Sequence, residues 1–218
     1  MAYSQTGIVN LGLGKVGIAR IANLNEDSPS AIRAHQVWDY VLDEVLEAKD
    51  WRFAKTRKAL AKSTTVPVSG WSYAYPLPAD FLRLCKGTPS DPVVYPSGYP
   101  WVVEALESGL LALLSNFDDS SESLVVQYIR RISDVTKFSA SFANTLAWRI
   151  GAEVAIIKTE AQGKFEFAMK GYAAALKRAE GITQGLDYVE GEEGSTSWAD
   201  SGRDLGRGDY GTRYPTAE

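Results

Sequence analysis

Apolar residues recur at helical spacing near both ends of the described pattern, and a stretch between them breaks that rhythm. Over 3–23, Ile8, Leu11, Val16 and Ile18/Ala19 return at near-helical intervals, which predicts a helix. Asn23, Asn25, Asp27, Ser28 and Pro29 are expected to stop it. Over 29–50 the pattern is clearest. Ala31, Ala34, Trp38, Val41, Val45 and Ala48 repeat at i+3 and i+4, and Leu42 and Leu46 widen the stripe. Ser28 suits the N-cap, because its hydroxyl accepts from an otherwise unpaired backbone N–H. Pro29 suits the first helical position, where its missing N–H costs nothing. Phe53, Ala54, Arg57 and Leu60 stay in phase, so a shorter helix is expected from Trp51 to Ala61.

Between 64 and 134 prolines, aromatics and β-branched residues dominate. Trp71 to Tyr75 alternates as a strand does, and Phe81–Cys85, Trp101–Ala105, Leu110–Leu114 and Leu124–Ile129 are further strand candidates. Glu107-Ser108-Gly109 reads as a hairpin turn, and 116–123 (NFDDSSES) as a solvated loop. Its acidic cluster lacks the glycine and terminal glutamate spacing of a calcium loop.

Helical rhythm returns over 139–182. Phe142, Leu146, Ile150, Val154 and Ile157 run in phase, Gly163 is expected to mark a break, and Phe165, Ala168, Tyr172, Ala175, Leu176 and Ala179 continue. From 186 to 218 the chain is rich in Gly, Ser, Asp, Glu and Arg and poor in aliphatics, so it cannot build a core. The pattern predicts an α+β chain. Residues 1–63 and 135–185 form a discontinuous helical bundle, 64–134 is a β-rich insertion, and 186–218 is an extended C-terminal arm. Two readings of the arm stay open: a tail without fixed structure, or a segment that orders on a neighbour. Trp198, Tyr210 and Tyr214 stand among Arg203, Arg207 and Arg213, residue types that anchor protein interfaces.

Composition narrows the chemistry. The single cysteine, Cys85, allows no intrachain disulfide and no paired-cysteine metal site, and is expected to pack as a small hydrophobe. The single histidine, His35, lies in a helical stretch, and a surface or structural role is expected. The net charge of −4 does not favour non-specific nucleic-acid or anionic-membrane binding, though a mildly acidic wall suits a conduit through which DNA slides. No stretch reaches the length of a membrane span, and the start lacks the basic region of a secretory leader.

Gly12-Leu-Gly14-Lys-Val-Gly17 matches the dinucleotide-binding pattern. That motif works only between a strand and a helix, with a second strand ending in an acid about 20 residues on. Residues 32–50, where that strand belongs, read as a helix, so the glycines are expected to serve close helix packing. A nucleotide-binding enzyme built on Gly12–Gly17 remains a minor alternative. No nucleophile elbow or phosphate loop is present, and Asp80, Glu104 and Glu107 are expected to be surface or capping carboxylates. No catalytic, cofactor or metal residues are assigned, and an enzyme is not expected.

Three strings gain meaning from their order. Ile8 to Ile21 (IVNLGLGKVGIARI) is followed by Asn25-Glu-Asp-Ser-Pro29; Leu46 to Ala54 (LEAKDWRFA) continues through Arg57 and Leu60; and Trp71 to Arg83 reads WSYAYPLPADFLR. Together they resemble the tail tubular protein A family, the head-to-tail adaptors of short-tailed phages. Its members carry a first helix of type N-x-A-L-x-x-L-G, then D-S-P, W-x-F-A and Y-x-L-P-x-D-x-L-R. Here Ser28, Pro29, Trp51, Phe53, Ala54, Tyr75, Pro78, Asp80 and Arg83 carry these motifs, while Gly12 and Gly14 depart from them. Val126–Asp134 and Phe138–Ala147 are similar to later family stretches, so the likeness covers roughly 5–182.

The resemblance implies a virion neck protein assembled in the host cytoplasm. Twelve copies would form a ring between the portal protein and the tail nozzle or tail tube, with genomic DNA passing through the lumen without sequence-specific binding. It implies no cofactor and no membrane. Another phage neck or tail-completion protein is the alternative. Trp51 and Phe53 would anchor the long helix to the next one, and Asp80 would cap the segment after the Pro76–Pro78 turn. The arm residues Trp198, Arg203, Arg207, Tyr210, Arg213 and Tyr214 are the candidate portal or subunit contacts.

Overall fold

In the computed structural model, which describes residues 3–65, 67, 70–87, 91–156 and 161–184, helices stand at both ends and strands lie between them. All the described elements belong to one unit, Met1–Gln184.

Helix α1 spans Gln5–Lys15, with the Ser4 hydroxyl accepting from the Gly7 N–H at 3.0 Å. It ends well before residue 23. Gly17 takes φ +66°, and the Ile18 N–H turns back onto the Leu13 carbonyl at 2.9 Å, closing the helix with a left-handed cap. The following loop is held by Asn10, whose side chain donates to the Ile21 carbonyl at 2.9 Å and accepts from its N–H at 2.8 Å. The buried face of α1 is Ile8, Val9, Gly12 and Leu13, and Leu11 points outward. The interval from Ile8 to Leu11 therefore misplaced the stripe.

Helix α2 spans Pro29–Glu47 as expected, with Ser28 capping the Ala31 N–H at 3.3 Å and Pro29 in the first turn. Ala31, Ala34, Trp38, Val41, Leu42, Val45 and Leu46 are buried, while Ala48 lies beyond the helix and is exposed.

The expected helix from Trp51 to Ala61 does not form. A tight turn at 51–54, with the Ala54 and Lys55 N–H groups both on the Trp51 carbonyl at 2.9 Å, leads into strand β1, Lys55–Leu60. β1 satisfies its backbone against β7, Leu124–Arg130, running antiparallel with Lys55 opposite Ile129 and Leu60 opposite Leu124. The β region thus starts at Lys55 rather than at 64. The first sheet is completed by β3, Phe81–Leu84, and the short β4, Val94–Tyr95, both on β7. The second sheet runs β2 (Tyr73–Pro76), β6 (Leu111–Ser115), β5 (Trp101–Ala105), again antiparallel. Gly109 at φ +80° closes the expected Glu107–Gly109 turn.

Helix α3, Ala140–Ala155, follows a 3-10 turn at Val135–Lys137 and is capped by Ser139. Helix α4 spans Ala161–Gln184. Gly163 lies inside α4, so the break between the helices precedes it; Ile157 is outside the described residues.

The N- and C-terminal helices pack into one bundle, and the β-rich part is inserted between them in sequence: an α+β architecture. Phe142, Leu146, Ile150 and Val154 of α3 are fully buried at the centre. The first sheet touches this core through Ile129 and Cys85, and its other face meets the second sheet around Tyr75, Leu113, Val126 and Tyr128. The arm expected over 186–218 lies outside the described residues.

Candidate interaction surfaces

The strings that carry the resemblance meet where α2 hands the chain to the sheets. The Trp51 indole donates to the Val45 carbonyl at 2.7 Å, and its ring stands edge-on to Phe142, centroids 4.9 Å apart. Phe53 packs on both Phe138 and Phe142, so both aromatics tie the end of α2 to α3. Ala54 is buried, and its carbonyl accepts from the Arg130 N–H at 2.9 Å. Arg83 reaches back from β3: Nε donates to the Glu47 carbonyl at 2.6 Å and Nη2 pairs with Asp50 at 2.6 Å. A cation on the last carbonyls of α2 is well placed against the helix dipole. Pro78 opens a turn in which the Phe81 N–H meets its carbonyl at 3.0 Å.

Asp80 departs from its expected role. It caps no following element; its carboxylate accepts from the Tyr128 hydroxyl at 3.0 Å, and its carbonyl accepts from the Arg131 N–H at 2.7 Å. Burial, then the hydrogen bond to Asp80, pushes the Tyr128 phenol up to about 12. Tyr75 is fully buried and donates to the Phe117 carbonyl at 2.6 Å. Each motif residue is engaged in a cap, a turn, an ion pair or core packing. Trp198, Arg203, Arg207, Tyr210, Arg213 and Tyr214 lie outside the described residues.

The glycine motif has the wrong polarity for a phosphate site. Gly12 and Gly14 lie within α1, and Gly17 follows its C-terminus, where carbonyls rather than N–H groups are left free. Gly12 does serve close packing: a Cβ there would run into the Ala147 carbonyl of α3, and one at Gly151 would lie 2.9 Å from the Gly12 carbonyl. Gly14 is different, since a Cβ there meets nothing within 4 Å.

A buried ionic cluster between α2 and α3 escaped the sequence reading. Arg149 pairs with Glu44 at 2.9 Å and Glu153 at 2.6 Å, and donates to the Tyr40 hydroxyl at 2.8 Å; Arg33 holds the other Glu153 oxygen at 2.7 Å. Burial alone would lower the Arg149 guanidinium, but its hydrogen bonds to the two glutamates hold it above its ordinary value. An i,i+4 Arg–Glu pair inside the otherwise apolar run of α3 was the available signal.

Among the hollows lined by described residues, two bear on the site. One, of about 300 Å³, lies on the part of the first sheet that the bundle leaves uncovered, among Arg57, Asp91, Val93, Tyr95, Val125 and Gln127. Its polar groups answer one another: Arg57 pairs with Asp91 at 2.6 Å, and the Gln127 amide, turned toward Arg57, accepts from it at 3.0 Å. The other, of about 470 Å³, lies along the outer side of α1, among Gly7, Asn10, Leu11, Gly14, Lys15 and Arg20. His35 is exposed, and burial pushes the Cys85 thiol up to about 11, which makes it a poor nucleophile. Asp118 and Asp119 of the acidic loop pair with Lys62, and no acidic or thiol cluster suited to a metal occurs among the described residues.

No family model matches the chain, and no curated protein matches it.

Proposed function

We propose that the chain is a head-to-tail adaptor subunit of a phage neck: a ring component between the portal and the tail nozzle or tube. The observation that carries this reading is the convergence of the resemblance-bearing strings. Residues 46–54, 75–83, 126–134 and 138–147 lie far apart in sequence yet meet at one junction, through Arg83 on Glu47 and Asp50, Asp80 on Tyr128, and Trp51 and Phe53 on Phe142. Residues that recur together for a scaffold reason are those expected to define a structural family rather than a catalytic one.

The mechanism is geometric. Copies of the bundle surround the DNA path, the ring docks beneath the portal, and the β part meets the tail components. The 186–218 arm, with Trp198, Tyr210 and Tyr214 among arginines, supplies contacts that form on docking. Nothing in this scheme needs a cofactor, and the site of action is the virion neck. The test mixes purified protein with DNA-filled, tailless particles carrying the cognate portal and examines them by negative-stain electron microscopy. A ring of density at the portal vertex is expected, with twelve copies by averaging. Particles that remain bare at saturating protein overturn the reading.

A further inference from the structure

Gly14 lacks an internal reason to be glycine. It sits inside α1, where glycine costs about 1 kcal/mol against alanine, yet a Cβ would meet nothing. What its absent side chain does create is the hollow on the outer side of α1. Leu11, 44% exposed, forms one wall, and Lys15 and Arg20 stand at the rim. The same surface runs on to α4, because the Lys15 ammonium lies 4.3 Å above the Trp148 ring and Trp148 stands against Phe167. It is apolar in the middle and basic at its edge.

The outer face of α2 has the complementary character. Ile32, Gln36 and Tyr40 follow at i, i+4 and i+8, all exposed, flanked by Asp39, Asp43 and Glu47. Arg131 answers Asp39 at 2.8 Å and Asp43 at 2.7 Å, and the face keeps an acidic excess. Tyr40 is 55% exposed, but its hydroxyl is fixed by the buried Arg149. An aromatic ring held rigid in solvent loses little freedom on docking, which is what an interface anchor requires. The two faces look away from each other. Ala147 and Gly151 of α3 face α1, whereas Phe142, Arg149 and Glu153 face the α2 side, roughly opposite at 3.6 residues per turn.

We infer that the α1 hollow of one copy receives Tyr40 from the α2 face of the next copy of this chain. Two different faces that fit each other give a heterologous contact, which propagates head to tail and closes into a ring when the rotation permits. The apolar centres on both sides favour a protein occupant over a nucleic-acid backbone, which is held by cations and hydrogen-bond donors. The inference rests on the ring reading above and names its contact.

The test uses portal-bound rings of the full chain. Leu11→Cys on the wall of the hollow and Gln36→Cys one turn from Tyr40 place a thiol on each side of the contact and leave Gly14 and Tyr40 unchanged. Treated with a short bismaleimide, the double variant is expected to give a ladder of covalent oligomers, and each single variant only monomer. The native Cys85 is buried and does not compete. Gly14→Leu fills the hollow; it is expected to melt at or above the native temperature and to assemble at least tenfold less. Rings that form without a ladder, or a ladder from Leu11→Cys alone, overturn the contact and leave the adaptor reading standing. Unimpaired assembly of Gly14→Leu does the same. Particles without rings for the native chain remove both. A salt-sensitive gel shift with duplex DNA, abolished by Gly14→Leu while rings still form, reassigns the face to nucleic acid.

Discussion

At the scale of single residues, three glycines in one motif do three different things. Gly12 lets α1 touch the α3 backbone, Gly14 faces outward, and Gly17 ends the helix at φ +66°. Gly12→Ala should therefore cost about 1–3 kcal/mol through overpacking. Gly14→Ala should stabilise by up to roughly 1 kcal/mol through helix propensity. Urea unfolding followed by circular dichroism measures both, and equal effects of the two substitutions would contradict the assignment. Arg149 is the other decisive position. Removing it leaves Glu153 with Arg33 alone and half-buried Glu44 without its cation, so Arg149→Met should lose about 1–3 kcal/mol in the same measurement. A loss below about 1 kcal/mol would mean the cluster is hydrated rather than buried.

At the scale of elements, helices with a broad apolar stripe were legible and an exposed edge strand was not. α2 announced itself through its cap, its proline and eight buried apolar positions. β1 reads Lys-Thr-Arg-Lys-Ala-Leu, and only Leu60 is buried, so it carries no period-two signal; its strand identity comes from β7. Its lysines suit an edge, where charge discourages pairing with foreign strands. β4, two residues long, is below what any periodicity reveals. Asp80 looked like a cap because its partner, Tyr128, lies 48 residues away. The acidic loop makes its own prediction. Hydrogen bonds from Lys62 and Ser120 hold the Asp118 carboxyl down to about 2. Its folded value lies below its unfolded one, so its contribution is complete above roughly pH 4 and is lost as pH falls through 2. Carboxyl chemical shifts should titrate near 2 in the native chain and nearer the ordinary value in Lys62→Met; identical midpoints would rule out the Lys62 pairing.

At the scale of the molecule, every described helix and strand lies before residue 185. Ending the chain after Asp187 should leave the melting temperature within a few degrees of native, since every described helix and strand is kept. Docking to portal-bearing particles should weaken at least tenfold if the arm supplies contacts there. Co-sedimentation measures this, and full docking by the shortened chain would remove the arm from the interface.

The bundle is also split in time. α2 ends at Glu47, and α3, which fills the centre, begins only at Ala140. On a ribosome adding about 5–20 residues each second, that gap lasts roughly 5–20 s. Throughout it α1 and α2 hold out Leu13, Val41, Leu42 and Leu46 with no helix to cover them. The nascent chain should therefore depend on folding helpers inside a cell. Its yield there should depend more on the speed of translation across the β insertion than on the stability of the finished protein.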